Sequence, residues 1–483
     1  MGSWDWIARA TVSPPTPESK IPIGASFTGT QPTLSPIVRG PSRYAFIMTA
    51  STALLTDRYE LTMIDAARQN GTADRLCLFE AFARRLPGAR RYGVVAGTGR
   101  LLELVRDFRF GDEELRSLAD NDVVSPGTLD WLADYRFRGT IRGYREGEVY
   151  FPQSPLLTVE SSFAEGVLLE TLILSVLNYD SAVATAASRM VSAAGERPLA
   201  EMGSRRANEN AAVAAARAAY IAGFSATSNL EAGRRWGVPT MGTAAHAFTL
   251  LHDSEEEAFR AQIAANGVDT TLLVDTYDVR SGVETAVRVA GPGLGAVRLD
   301  SGDLGILVRQ VREQLDRLGA PNTKITVTND LDEHAIAALA AAPVDSYGVG
   351  TSVVTGSGSP AAGMVYKLVA HRNGVDEDWT PVAKRSVGKA SLGGRKTAHR
   401  LFDEHGVATA EQVSREDHSD GIPDRSARAL IVPLITEGEL DETAIGVDGV
   451  RTAREHRARA IEELPADAFR LGRGDPALPT LLS

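Results

Sequence analysis

The chain of 483 residues reads as an α/β protein: a barrel-like parallel βα domain, an α+β N-terminal domain and a small C-terminal extension. Three observations predict this. Short apolar runs, each ending in polar or glycine residues and followed by a helix-like segment, recur between about residues 218 and 354. Before them, residues 136–162 carry short alternating runs broken by glycines, the pattern of antiparallel strands. From about Lys384 the composition turns basic and glycine-rich, then acidic and loop-like. A chain this long exceeds one compact core, so two or three domains are expected.

Residues 1–47 are rich in Pro, Ser, Thr and Gly without apolar periodicity and read as a disordered leader, with Met48 as an alternative start. The leader lacks the apolar core of a secretory signal. The N-terminal domain is expected over 48–160. "STALLTDRYELTMIDAARQNG" reads as a helix capped near Thr56 and Asp57 and stopped by Gly71. "RLCLFEAFARRLP" reads as a strand running into the basic pair Arg84 and Arg85, and "GVVAGTGRLLELVRDF" as a turn and a helix.

The barrel-like domain is expected over 161–383. It opens with a long apolar helix at 163–195. Strands are then predicted at "AAYIAGF", "VPTMG", "TTLLVD", "GAVRLD", "KITVTND" and "VDSYGVG", about six βα units. Continuous apolar strands are buried on both faces, as in a parallel sheet. Such a series closes as a barrel or opens as a doubly wound sheet. No G-x-G-x-x-G follows the first strand, which favours the barrel. Residues 384–483 are expected as a strand-rich extension that packs on the N-terminal domain and finishes in an exposed tail.

The net charge of −11 argues against nucleic-acid binding through a basic surface. No apolar run approaches the length that spans a bilayer, so no membrane partner is expected. One cysteine, Cys77, excludes an internal disulfide and fits a cytoplasmic location. An anionic substrate would therefore need a local cluster of cations and backbone N–H groups.

In a βα barrel, active groups gather at the C-terminal ends of the strands. Those ends here carry Thr243, His246, Asp275, Arg298, Asp300, Asp303, Asn329 and Thr351. Helix capping accounts for about half of such polar residues, but not for Arg298 in an apolar strand. A guanidinium there pairs with Asp300 and Asp303 or faces a ligand. Gly348 and Gly350 before Thr351 and Ser352 suit a phosphate monoester, although glycine-rich turns are common. Arg189, Arg205 and Arg206 suit a pyrophosphate or carboxylate, or form a solvated basic turn. His246, one of eight histidines, is a base, a nucleophile toward phosphoryl, or a structural residue. Lys324 opens its strand, which disfavours a Schiff-base role.

"TDRYELTM", "GFSATSN", "MGTAAHAF", "VRLDSGDL", "VTNDLDE" and "YGVGTSVVT", in this order, resemble the nicotinate phosphoribosyltransferase family. The resemblance runs from about residue 52 to at least residue 400. It implies a type II phosphoribosyltransferase fold and a homodimer with sites near the subunit boundary. It also implies transfer of phosphoribosyl from phosphoribosyl pyrophosphate to nicotinate, coupled to ATP hydrolysis and using Mg²⁺. By resemblance His246 is transiently phosphorylated, Tyr59 borders the pyridine ring, and Thr243 and Arg298 contact nicotinate. Gly350 and Thr351 hold the phosphate of the sugar. Asn329 falls among the substrate-binding residues, Asp300 and Asp303 are candidates for Mg²⁺ or the ribose, and Arg189, Arg205 or Arg206 for pyrophosphate. Nicotinamide or quinolinate as the accepted pyridine, and a non-catalytic metabolite-binding barrel, are the rival readings.

Overall fold

The computed structural model describes residues 51–384, 392–416 and 426–483. The leader expected at 1–47 and parts of the basic segment after Lys384 lie outside the described residues. The first helix is Arg58–Gln69, which buries Glu60, Leu61, Ile64 and Ala67 on one face. Asp57 occupies the cap position without a side-chain cap bond; the nearby hydroxyl of Thr56 bonds Glu60 instead.

The α+β part is a seven-stranded sheet in the order 380–381, 364–372, 76–83, 157–162, 140–144, 431–436 and 439–440. Neighbours are antiparallel throughout. Leu76–Ala83 lies near the centre and is buried along almost its whole length, so its apolar residues run without alternation. Phe79 stacks on Tyr366 across the pair, with ring centroids 5.1 Å apart. Two sequence boundaries shift here. Residues 364–372, expected inside the barrel domain, pair with 76–83; residues 431–436, expected in the extension, complete the N-terminal sheet beside 140–144. Strand pairing over so long a separation leaves no local trace in the sequence.

The long helix forms in two parts, Phe163–Leu168 and Glu170–Ala194. Contrary to the expectation, the span Phe163–Ala194 is long and apolar enough to cross a membrane by length and composition; 67% of its most apolar window is buried inside the protein. Its Ala182–Ala187 stretch is small enough to let the barrel elements approach closely.

The βα series forms six parallel strands, Leu199–Glu201, Ala226–Thr227, Thr271–Leu273, Ala296–Leu299, Lys324–Val327 and Ser346–Val349. The last pairs with the first, and Thr240 makes a single parallel bridge to Thr227. The pairing thus runs around a ring and stops between Thr240 and Thr271, leaving a half-barrel rather than a closed one. Two expected strands differ. "AAYIAGF" begins as the last turn of the helix Glu209–Ile221, because an alanine-rich run favours helix. "VPTMG" contributes only the bridge at Thr240. The strand Leu199–Glu201 was not expected; three residues are too few for a periodic signal.

The C-terminal part contains a four-stranded sheet, in keeping with the strand-rich extension expected, and a 17-residue helix, Gly446–Glu462, where the sequence reads as loop-like. Val450, Ala453, Arg457 and Ala460 form its buried stripe. The terminal Thr480–Leu482 pairs with Ala408–Arg415, so the tail is tied down.

One turn gathers these parts. Glu146 takes two bonds from Arg217, at 2.5 and 2.7 Å, and the amides of Gly97 and Gly99. Glu148 bonds Arg428 and His456. Burial alone would raise the Glu148 carboxyl, but His456, Arg428 and Arg400 hold it down at about 2. Its stabilising charge is fully present above its ordinary 4.5 and is lost as pH falls toward 2. Thermal unfolding followed from about pH 6 to about pH 3 should show a steep fall in midpoint for the wild type. Glu148→Gln should start lower and fall less.

Candidate functional site

The C-terminal ends of adjacent parallel strands meet at one rim, and side chains there bond across the gap in the ring. Arg298, near the end of Ala296–Leu299, donates through Nη1 to Thr243 Oγ1 at 2.6 Å. Its Nη2 lies 3.7 Å from Asp300 Oδ2. Its Nε is buried without a partner. Burial lowers the guanidinium's affinity for its proton, with Asp300 and Asp275 opposing that and Arg205 adding to it. The positive charge of Arg205 thus reaches Arg298, and two like charges near one another favour an anionic ligand.

His246 opens the short helix His246–Leu251. Its Nδ1 is 3.1 Å from Thr276 Oγ1, and its Nε2 lies 4.0 Å from Asp275 Oδ1 and 3.9 Å from Asp300 Oδ2. The ring is 41% exposed, so a ligand can reach it. Asp275 is the organiser beneath. Its Oδ2 accepts from the Asp300 amide and the Ser301 hydroxyl, both at 2.7 Å, while Oδ1 is buried and unpartnered. Asp300 is also held by Thr328, at 2.7 Å. A neighbouring carboxyl, Glu255, is pushed up to about 7 by burial and by Asp278 and Asp275.

The structure brings together Thr243, His246, Arg298 and Asp300. Asn329 follows Thr328 on the same rim and is half-buried. Gly350 follows the adjoining strand Ser346–Val349 and caps the short helix Thr351–Val354, and Thr351 is exposed. Gly348 is required for packing rather than for an unusual turn: a Cβ there would lie 2.6 Å from Thr328 and 2.7 Å from Met202. Arg205 and Arg206 are exposed after the strand Leu199–Glu201.

Three expected residues stand apart. Asp303 is exposed and caps the helix Leu304–Arg317 through the Ile306 amide; it makes no bond to Asp275 or Asp300. Arg189 is buried, with Nε donating to Glu333 and Nη2 to the Leu471 carbonyl. Tyr59 lies on the first helix, 46% exposed, beside Glu170 and not on the rim. Asp275 and Thr276 carry more of the geometry than the sequence suggested, since only the fold reveals that they sit under His246.

Residues 54–178 match the family model of the nicotinate phosphoribosyltransferase (NAPRTase) N-terminal domain. The chain is 57% identical over 438 residues to a nicotinate phosphoribosyltransferase of Mycobacterium tuberculosis, covering 88% of this chain and 94% of that one. The chain belongs to the nicotinate phosphoribosyltransferase family. A Bacillus subtilis nicotinate phosphoribosyltransferase is 38% identical, with 73% of this chain and 74% of that one covered. The crystal structure of human nicotinic acid phosphoribosyltransferase superposes with a TM-score of 0.75 at 27% identity, covering 89% of this chain and 97% of that one. The family's type II phosphoribosyltransferase fold, a parallel half-barrel with a separate α+β layer, is the fold described above.

Within a nicotinate phosphoribosyltransferase site, Asp275 is the group whose loss should be felt most widely. Asp275→Asn should keep the circular dichroism spectrum and lower kcat/KM for nicotinate by about a hundredfold, the scale of a misoriented acid–base group. A value within about twofold of wild type would remove Asp275 from the machinery.

Proposed function

We propose that this nicotinate phosphoribosyltransferase of NAD biosynthesis grips the nicotinate carboxylate with Arg298 and couples transfer to ATP through His246. The carrying observation is the Arg298 guanidinium. It is half-buried, aimed by Thr243, loosely paired with Asp300 and left with a buried Nε that has no hydrogen-bond partner. A planar fork with donors to spare suits a carboxylate through parallel hydrogen bonds. A neutral amide at that place forms the weaker contact, which favours nicotinate over nicotinamide.

His246 is the proposed phosphoryl acceptor. Thr276 orients the ring at Nδ1, and the carboxylates lie on its Nε2 side. A phosphoryl group there adds negative charge beside Arg298 and Arg205, so phosphorylation would reorganise the cations that receive phosphoribosyl pyrophosphate. The turn at Gly350 and Thr351 is proposed to hold the sugar phosphate, with Arg205 and Arg206 toward the pyrophosphate.

Mg²⁺ fits the donor set in a limited way. The described residues contain no cluster of three or more His, Cys, Asp or Glu side chains suited to a metal. Mg²⁺ commonly takes one or two carboxylates and completes its shell with phosphate and water. Asp300 and the Oδ1 of Asp275, which takes no hydrogen bond, would supply those carboxylates; Asp303 uses one oxygen as a helix cap. When bound, the ion would neutralise charge on the departing pyrophosphate.

A homodimer is part of the proposal. Leu230, Leu250, Leu251, Tyr277 and Ile306 are large exposed apolar residues around the rim, and Leu55 and Tyr59 are exposed on the N-terminal layer. Tyr59 would border the pyridine only from a second copy of the chain.

His246→Ala should abolish ATP stimulation while retaining slow ATP-independent formation of nicotinate mononucleotide. Product and ADP measured together check this, and intact coupling would refute the histidine assignment. Arg298→Ala should raise the KM for nicotinate by about ten- to a hundredfold, the scale of a lost charged hydrogen bond. Steady-state kinetics with varied nicotinate reads it.

A further inference from the structure

The loop after Thr351 is rooted in buried charge. Residues Gly356, Ser357 and Gly358 all have positive φ, at 59°, 51° and 80°. Ser357 is the one among them with a side chain, and a non-glycine residue persists in that region only where its surroundings hold it. The Ser357 amide donates to the Ser352 carbonyl at 2.6 Å. Its hydroxyl donates to Glu333 Oε2. The other oxygen of Glu333 accepts from Arg189 Nε at 3.0 Å, and Arg189 also holds the Leu471 carbonyl at 2.8 Å. Arg90 donates to the Gly356 carbonyl and feels both Arg189 and Glu333. Glu333 and Arg189 are 4% and 7% exposed.

Four segments meet at this carboxylate: the loop after the first strand, the long helix, the half-barrel rim and the C-terminal tail. Its charge offsets the repulsion between two guanidiniums, each of which holds a backbone carbonyl. Neutralising it would leave Arg90 and Arg189 repelling each other in a buried place, with the Gly356 carbonyl attached to one of them. We propose that Glu333 is a positioning residue for the phosphate-gripping turn, setting Gly350 and Thr351 through Ser357 and the two arginines. On this view Arg189 serves phosphoribosyl pyrophosphate without touching it. The inference rests on the reading that this turn holds the sugar phosphate.

The test compares Ser357→Ala, Glu333→Gln and Glu333→Asp with Thr351→Ala in the full chain. It measures KM for phosphoribosyl pyrophosphate, KM for nicotinate and kcat, with folding checked by circular dichroism. Ser357→Ala should raise the KM for phosphoribosyl pyrophosphate about three- to tenfold and leave that for nicotinate within about twofold. Glu333→Gln should do the same more strongly, and Glu333→Asp should recover part of the loss. If Glu333→Gln does not fold, Ser357→Ala decides. Should Thr351→Ala raise this KM while folded Ser357→Ala leaves it unchanged, the positioning role is overturned and the phosphate reading stands. Should Thr351→Ala itself change nothing, the phosphate reading fails and the inference with it.

Discussion

The turn from Arg145 to Glu148 is the constraint on which the assembly of this chain depends. Glu146 points one way, onto Arg217 of a half-barrel helix. Glu148 points the other, onto Arg428 and His456 of the C-terminal part. Gly147, at φ +90°, lies so close to the helix Gly446–Glu462 that a Cβ would meet the Ala453 carbonyl at 2.2 Å. Just before the turn, Tyr144 donates to Glu411, which also takes Arg400. Buried pairs of this kind contribute little net energy, but losing one partner costs about 3–5 kcal/mol. They therefore specify how the parts dock more than how tightly they hold.

The half-barrel then makes the site possible by being incomplete. A full ladder beside Thr271–Leu273 would occupy the backbone of residues 240–246 with strand pairing. Here only Thr240 bridges to Thr227, and the rest of that segment is free to carry Thr243 and His246 across the gap. Side-chain bonds from Arg298 and Thr276 take the place of ladder hydrogen bonds. The opening in the ring and the convergence of a cation, an imidazole and two carboxylates are one structural fact.

The rim also shows how polar strand ends divide between capping and chemistry. Asp303, Asp278 and Asn229 each cap a helix with a side-chain oxygen. Asp275 and Asp300 face inward and bond one another's surroundings. In sequence all five look alike, an acid or amide between a strand and a helix. Only the direction of the side chain separates them, and direction is decided by packing.

Much was legible from the sequence alone. The strands Thr271–Leu273 and Ala296–Leu299 announce themselves by short apolar runs that are mostly buried, whereas Lys324–Val327 alternates between exposed or half-buried and buried residues. Six ordered motifs carry the family, and Arg298 stands out as a charge inside such a run. The strand at 199–201 is too short to have a period, and the alanine-rich 218–221 is helical by propensity. The pairing of 364–372 with 76–83 is set by contacts nearly 300 residues apart. Arg189 and Arg205 are both arginines that suit an anion; tertiary structure alone buries one against Glu333 and leaves the other exposed. Local composition determines which residues can be strand, helix or site, whereas long-range packing decides which charges meet a partner and which remain for a ligand.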